Sequence, residues 1–133
     1  MSRNDLAPYQ IYVLQLMAQP ADAQLSEYIW DADEIPLSLA SFWTIAFTGL
    51  YRGTGDELLP GLSSDINEID EKRRRAGAQG PEAMWTNAGL RDDPFWEEMR
   101  NLARLALKRR GITVTKPDPN PDTWYKLLPA ELH

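Results

Sequence analysis

The sequence predicts an all-α fold: an irregular single-domain bundle of five or six helices with an extended Pro-rich C-terminal arm. Three observations carry this expectation. Apolar residues recur at three- and four-residue spacing along most of the chain. Alternation with period two is nearly absent. Capping residues, prolines and glycines bracket the periodic segments. These boundaries place a helical domain at residues 1–116 and the arm at 117–133, packing on the domain or extending from it.

The first helix follows Asp5, a plausible N-cap, and carries Tyr9, Tyr12, Val13, Leu16 and Met17 on one face. Pro8 is compatible with the first turn, whose N–H groups lack intrahelical partners, and Pro20 closes the segment. Asp22 is placed to cap a short helix through Leu25, Tyr28 and Ile29 to Trp30. An acidic loop follows, because Pro36 biases Ile35 away from helical backbone. The segment from about Ser38 to Tyr51 places Leu39, Phe42, Trp43, Ala46, Phe47 and Leu50 on one stripe, with Ile45 on a second face. A helix apolar on nearly all sides is expected at the centre of the molecule.

Gly49, Gly53, Gly55, Pro60 and Gly61 mark a loop, and Ser63 or Ser64 can cap the next helix, with Ile66 and Ile69 inward. That helix is expected to end at Lys72-Arg73-Arg74-Arg75, where cations complement the helix dipole, with Gly77 and Gly80 as breaks. Pro81 opens a short helix through Trp85, stopped by Gly89. The last long helix has the sharpest limits: Asp93 as N-cap, Pro94 first, Glu97 and Glu98 early, Lys108-Arg109-Arg110 late, and Gly111 as the stop. Phe95, Met99, Leu102, Leu105 and Ala106 form its expected buried stripe. Ile112 to Thr115 alternate like a short strand without a partner. Pro117, Pro119 and Pro121 impose an extended arm, and Asp122 can cap a final turn bearing Trp124, Leu127 and Leu128.

The inventory of side chains narrows the chemistry. With 133 residues, 43% hydrophobic and 26% charged, the chain is long and apolar enough to form a core unaided. It has no cysteine, which excludes disulfides and thiolate metal sites and fits a reducing, cytoplasmic setting. The most apolar window, Leu37–Tyr51, is shorter than the roughly 20 residues that cross a bilayer. Histidine occurs once, at His133, so Ser-His-Asp catalysis and histidine zinc sites have no framework. No catalytic residue, metal or cofactor is expected on these grounds. The chain is read as non-enzymatic.

Charge is the most distinctive feature. Residues 1–71 hold twelve carboxylates against Arg3 and Arg52, a net −10; residues 72–133 carry a net +4. Asp31, Asp33 and Glu34 form the densest acidic cluster, suited to a basic partner surface or, less directly, to a hard cation. The loop lacks the glycine and glutamate of a calcium hand. The competing explanation is that the two halves dock on and neutralise each other. Lys72, Arg73, Arg74, Arg75, Lys108, Arg109 and Arg110 offer an alternative nucleic-acid surface, although dipole compensation accounts for both clusters. The glycines from Gly49 to Gly55 do not follow a strand and lack a phosphate-loop ending.

Five tryptophans and five tyrosines supply the remaining signal. Trp43 belongs to the core, whereas Trp30, Trp85, Trp124 and Tyr125 sit near loops or on the arm and suit exposed interface anchors. Alternatively, the arm folds back and Trp124 staples it to the body. The run Trp124–Leu132 resembles the aromatic–Leu–Pro–Glu–Leu endings of some small phage tail-assembly proteins; it spans nine residues and carries no function over. The expectation is therefore a small acidic protein-binding module, an adaptor, assembly factor or inhibitor, contacting its partner through Trp30, Asp31, Asp33, Glu34, Trp85, Trp124 and Tyr125. A nucleic-acid-associated regulator and a carboxylate-based metal enzyme are the alternatives.

Overall fold

The computed structural model describes residues 6–26, 35–80 and 82–132, and among them the chain is all-α, with seven α-helices and no strand. The central element is α1 (Pro8–Ala18), in which Tyr9, Gln10 and every residue from Tyr12 to Ala18 are buried. It begins at Pro8 with Ala7 as the cap residue, rather than at Asp5, which lies outside the described residues. Ala7 has no side chain to cap the helix, but the Gln10 side chain reaches back to it, its Oε1 accepting the Ala7 N–H at 2.9 Å. The short α2 (Ala21–Ser26) holds Asp22 in its first turn; the predicted Tyr28, Ile29 and Trp30 lie outside the described residues.

α3 (Ile35–Phe47) starts earlier than the proline rule suggests, because Pro36 falls in the first turn, where its missing N–H costs no intrahelical bond. Leu39, Trp43, Ala46 and Phe47 are buried, but Leu37 is exposed and Leu50 lies beyond the helix end, also exposed. The centre of the molecule is thus α1, with α3 packed beside it. Thr48 pairs with Leu58 in an isolated antiparallel bridge, which closes a loop holding the 3-10 turn Leu50–Arg52.

α4 (Ser64–Gln79) runs through Gly77 and one turn past the basic run, so Lys72–Arg75 are mid-helical and the dipole explanation does not apply to them. Ile66 and Ile69 are fully buried. After the 3-10 turn Glu82–Trp85 comes α5 (Asn87–Asp92), capped by the Thr86 hydroxyl. Gly89, expected as a stop, sits inside α5: a Cβ there would run into the Ala83 carbonyl and lie 2.8 Å from that of Met84. Glycine is required by close approach rather than by a turn.

α6 (Pro94–Arg109) matches its sequence limits. The Asp93 carboxylate accepts the Phe95 N–H at 2.9 Å. At the other end Gly111 adopts φ 72°, donating to Lys108 O while Ile112 donates to Leu107 O, the paired bonds of a Schellman stop. The buried side of α6 is Trp96, Met99, Arg100, Ala103, Ala106 and Leu107; Leu105, expected inward, is exposed.

The arm folds back along α1. Residues 112–118 are extended without being a strand, and α7 (Pro121–Leu127) follows, capped by Asn120 rather than Asp122, because Pro121 takes the first position. Glutamines stand in for a strand partner. Gln15 donates to Thr113 O and accepts from Thr115 N–H at 2.9 and 2.8 Å, and Gln19 donates to Thr115 O at 2.9 Å. The Tyr12 hydroxyl donates to Asp118 O. Trp124 is the staple: its ring meets Phe42 edge-on at 4.5 Å and its Nε1–H donates to Tyr9 O at 3.1 Å.

Candidate partner-binding surface

Among the described residues, acids of the first half and cations of the second are paired with each other at several points. Arg110, expected on a nucleic-acid surface, is only 5% exposed. Its Nη1 donates to Asp65 Oδ2 at 2.7 Å, and its Nη2 donates to Ser63 Oγ at 2.6 Å. Burial by itself would push the Asp65 carboxyl up; hydrogen bonds from Arg110 and Ser63, the Arg110 charge and the Ile66 N–H override this and hold it at about 2. Asp70 repeats the design one turn later in α4. It accepts the Trp43 indole N–H at 2.8 Å and is flanked by Arg73 and Arg74 at 2.9 and 2.6 Å. Burial opposes ionisation at Asp70 too, and these donors reverse the balance, lowering its pKa.

The remaining cations of the first basic cluster are also matched: Lys72 with Glu98 at 2.8 Å and Arg75 with Glu71 at 2.9 Å. Arg74 further bonds the Asp56 backbone carbonyl. The cluster at residues 72–75 is therefore a set of ion pairs along and beside α4, not a continuous phosphate-facing surface. In the second cluster Arg109 lies 3.8 Å from Asp65, and Lys108 is exposed with no anionic partner among the described residues. Arg100 is buried, with Nη1 donating to Gln24 Oε1 and Leu90 O.

The aromatic candidates divide. Trp124 is 5% exposed, so it is the staple and not an exposed anchor. Trp85 is half-buried, packed edge-on to Trp96 at 5.5 Å and tilted against Phe95 at 6.3 Å. Trp30, Asp31, Asp33 and Glu34 lie outside the described residues. Among the described residues no group of three or more His, Asp or Glu is placed to hold a metal ion.

Tyr125 is 52% exposed, and it leads to a surface the sequence did not outline. A groove of about 310 Å³ opens here, lined by Ile45, Tyr51, Trp124, Tyr125, Leu128, Glu131 and Leu132. Tyr51 is 56% exposed, and Leu50 and Leu127 beside these residues are exposed as well. Three separate segments build it: the end of α3 with the 50–52 turn, α7, and the 3-10 turn Ala130–Leu132. Arg52 ties them, bonding Glu131 on the third segment and the Tyr9 hydroxyl on α1, the latter at 2.8 Å. The only hint in the sequence was an aromatic residue beside Gly49 and Gly53, where a loop holds a side chain outward.

No helix among the described residues is long and apolar enough to cross a membrane. No family model, curated protein or solved structure matches the chain, so a functional argument rests on this geometry.

Proposed function

We propose that the chain is a non-enzymatic, acidic protein-binding module that acts in the cytoplasm as an adaptor, assembly factor or inhibitor. Its docking surface is the groove between Tyr51 and Tyr125. The observation that carries this is an exposed aromatic and aliphatic surface on a body whose other large aromatics, among the described residues, are packed. Tyr and Leu lining a groove provide large contact area at low cost in side-chain entropy. The occupant is an apolar segment of a partner protein flanked by Lys or Arg. A chain of net charge −6 attracts such a segment and repels acidic competitors. The buried Arg110 and the matched charges of Lys72–Arg75 lend the nucleic-acid alternative little support.

Tyr51→Ser combined with Tyr125→Ser tests the reading. Both side chains are more than half exposed, so the helical CD spectrum and urea midpoint are expected to stay within about 0.5 kcal/mol of the parent. Partner affinity is expected to fall about 30-fold or more, as for loss of an anchoring aromatic. A partner that binds the double variant as tightly as the parent would refute the groove. A dimeric parent made monomeric by the two changes would identify the occupant as a second copy and refute the basic segment.

A further inference from the structure

The extended segment after α6 has two edges, and among the described residues only one is occupied. Thr113 O, Thr115 N–H and Thr115 O point to α1, where Gln15 and Gln19 bind them as a neighbouring strand would. In extended backbone the polar groups of alternate residues face opposite edges. The Val114 N–H and C=O, and the Ile112 C=O, therefore lie on the other edge. None of the three has a hydrogen-bond partner among the described residues. Val114 is 39% exposed.

That edge borders a cavity of about 410 Å³ lined by Arg104, Lys108 and residues Gly111–Val114. Among the described residues neither of its two cations meets an anion: Lys108 has no anionic partner, and Arg104 bonds the Ala18 carbonyl and the Asn101 amide, both uncharged. Most of the described cations pair with carboxylates, so an open main-chain edge beside two that do not is a specific combination.

We infer that the Ile112–Val114 edge is a site for main-chain pairing with an extended acidic peptide segment of another protein. The Val114 N–H and C=O and the Ile112 C=O pair with the peptide backbone, and Lys108 with Arg104 holds its carboxylates. Strand addition of this kind draws affinity from the backbone and selectivity from flanking side chains. The site is separate from the aromatic groove, takes a partner of opposite charge, and does not depend on the reading given above.

The test uses the full chain and a fluorescently labelled, end-capped peptide, (Asp-Val)3, with (Lys-Val)3 as the comparison, titrated by anisotropy at low salt. The acidic peptide is expected to bind at least tenfold more tightly than the basic one, and Lys108→Glu to reverse or abolish that preference. Val114→Pro removes an N–H that no described residue uses, so it is expected to leave the fold intact and weaken the acidic peptide at least tenfold. In the unmodified chain, amide exchange at Val114 is expected to slow on adding the peptide. Equal binding of the two peptides, absence of binding at millimolar peptide, or binding with no slowing at Val114 would overturn the inference. So would a well-folded Val114→Pro variant that binds like the parent.

Discussion

Replacing Arg110 with alanine isolates the question of what the charge asymmetry is for. The guanidinium is 5% exposed and bonds the Asp65 carboxylate, the Ser63 hydroxyl and the Ala106 carbonyl, the last at 2.7 Å. Lowering the Asp65 carboxyl from 3.8 to about 2 corresponds to about 2 kcal/mol of stability at neutral pH. Removing the arginine forfeits this and leaves a carboxylate buried without its counter-charge, so the total loss is expected at about 3–5 kcal/mol. Asp65→Leu with Arg110→Met removes both charges together. It is expected to lose clearly less than the two single changes added, with a coupling of about 2–3 kcal/mol.

Urea unfolding followed by tryptophan fluorescence reads these values, and pH supplies a second axis. Because the folded Asp65 is the stronger acid, its contribution is complete above about pH 4 and disappears as pH falls towards 2. In Arg110→Ala, burial is opposed by only the Ser63 hydroxyl, the Ile66 N–H and the more distant Arg109, so the Asp65 carboxyl rises from its parent value. The parent's loss of stability between pH 4 and 2 is then expected to shrink, even though Asp70 continues to contribute in the same direction. A single-variant loss under about 1 kcal/mol, or an unchanged acid slope, would refute the claim that the two halves stabilise each other through this pair.

Three further outcomes follow from the packing. Trp124→Ala empties the site against Phe42 and Tyr9 and is expected to cost about 3–5 kcal/mol and speed amide exchange along the arm; unchanged exchange would deny the staple. Burial first, and then the Asp118 charge, raises the Tyr12 hydroxyl to about 12. The unfolded chain gives up this proton near pH 10, so stability is expected to fall between pH 10 and 12, with Tyr12→Phe flattening that decline. Gly77→Ala and Gly89→Ala differ in sign despite both being helical: the first has no atom near its Cβ and is expected to stabilise by about 0.5–1 kcal/mol, while the second collides with the Ala83 carbonyl and destabilises in thermal melts.

Features governed by neighbouring residues were legible before the structure. Asp93, Pro94 and Gly111 bracket α6 because caps and stops act over one turn. The all-α class followed from periodicity, and Trp124 as a staple was one of two readings left open. Features governed by distant partners were not legible. Gln10 and Gln15 carry no local sign of their role, because backbone carbonyls 36 and 98 residues away consume their amides. That masked α1 as the central helix. Lys72–Arg75 resembled a helix end because Gly77 looked like a stop, and nothing local shows that α4 continues. Trp124 and Tyr125 were legible as candidates, but the groove was not, since Tyr51 joins them only when the arm closes against α1 and α3.

The groove itself is most directly tested by placing a photo-crosslinking phenylalanine analogue at position 51, at position 125, and at exposed Glu68 on α4 as a control, in cells making the full chain. The account predicts that positions 51 and 125 label one and the same protein through an apolar stretch bordered by Lys or Arg, and that position 68 does not. Labelling of that protein from position 68 alone, or unrelated products from 51 and 125, would contradict it.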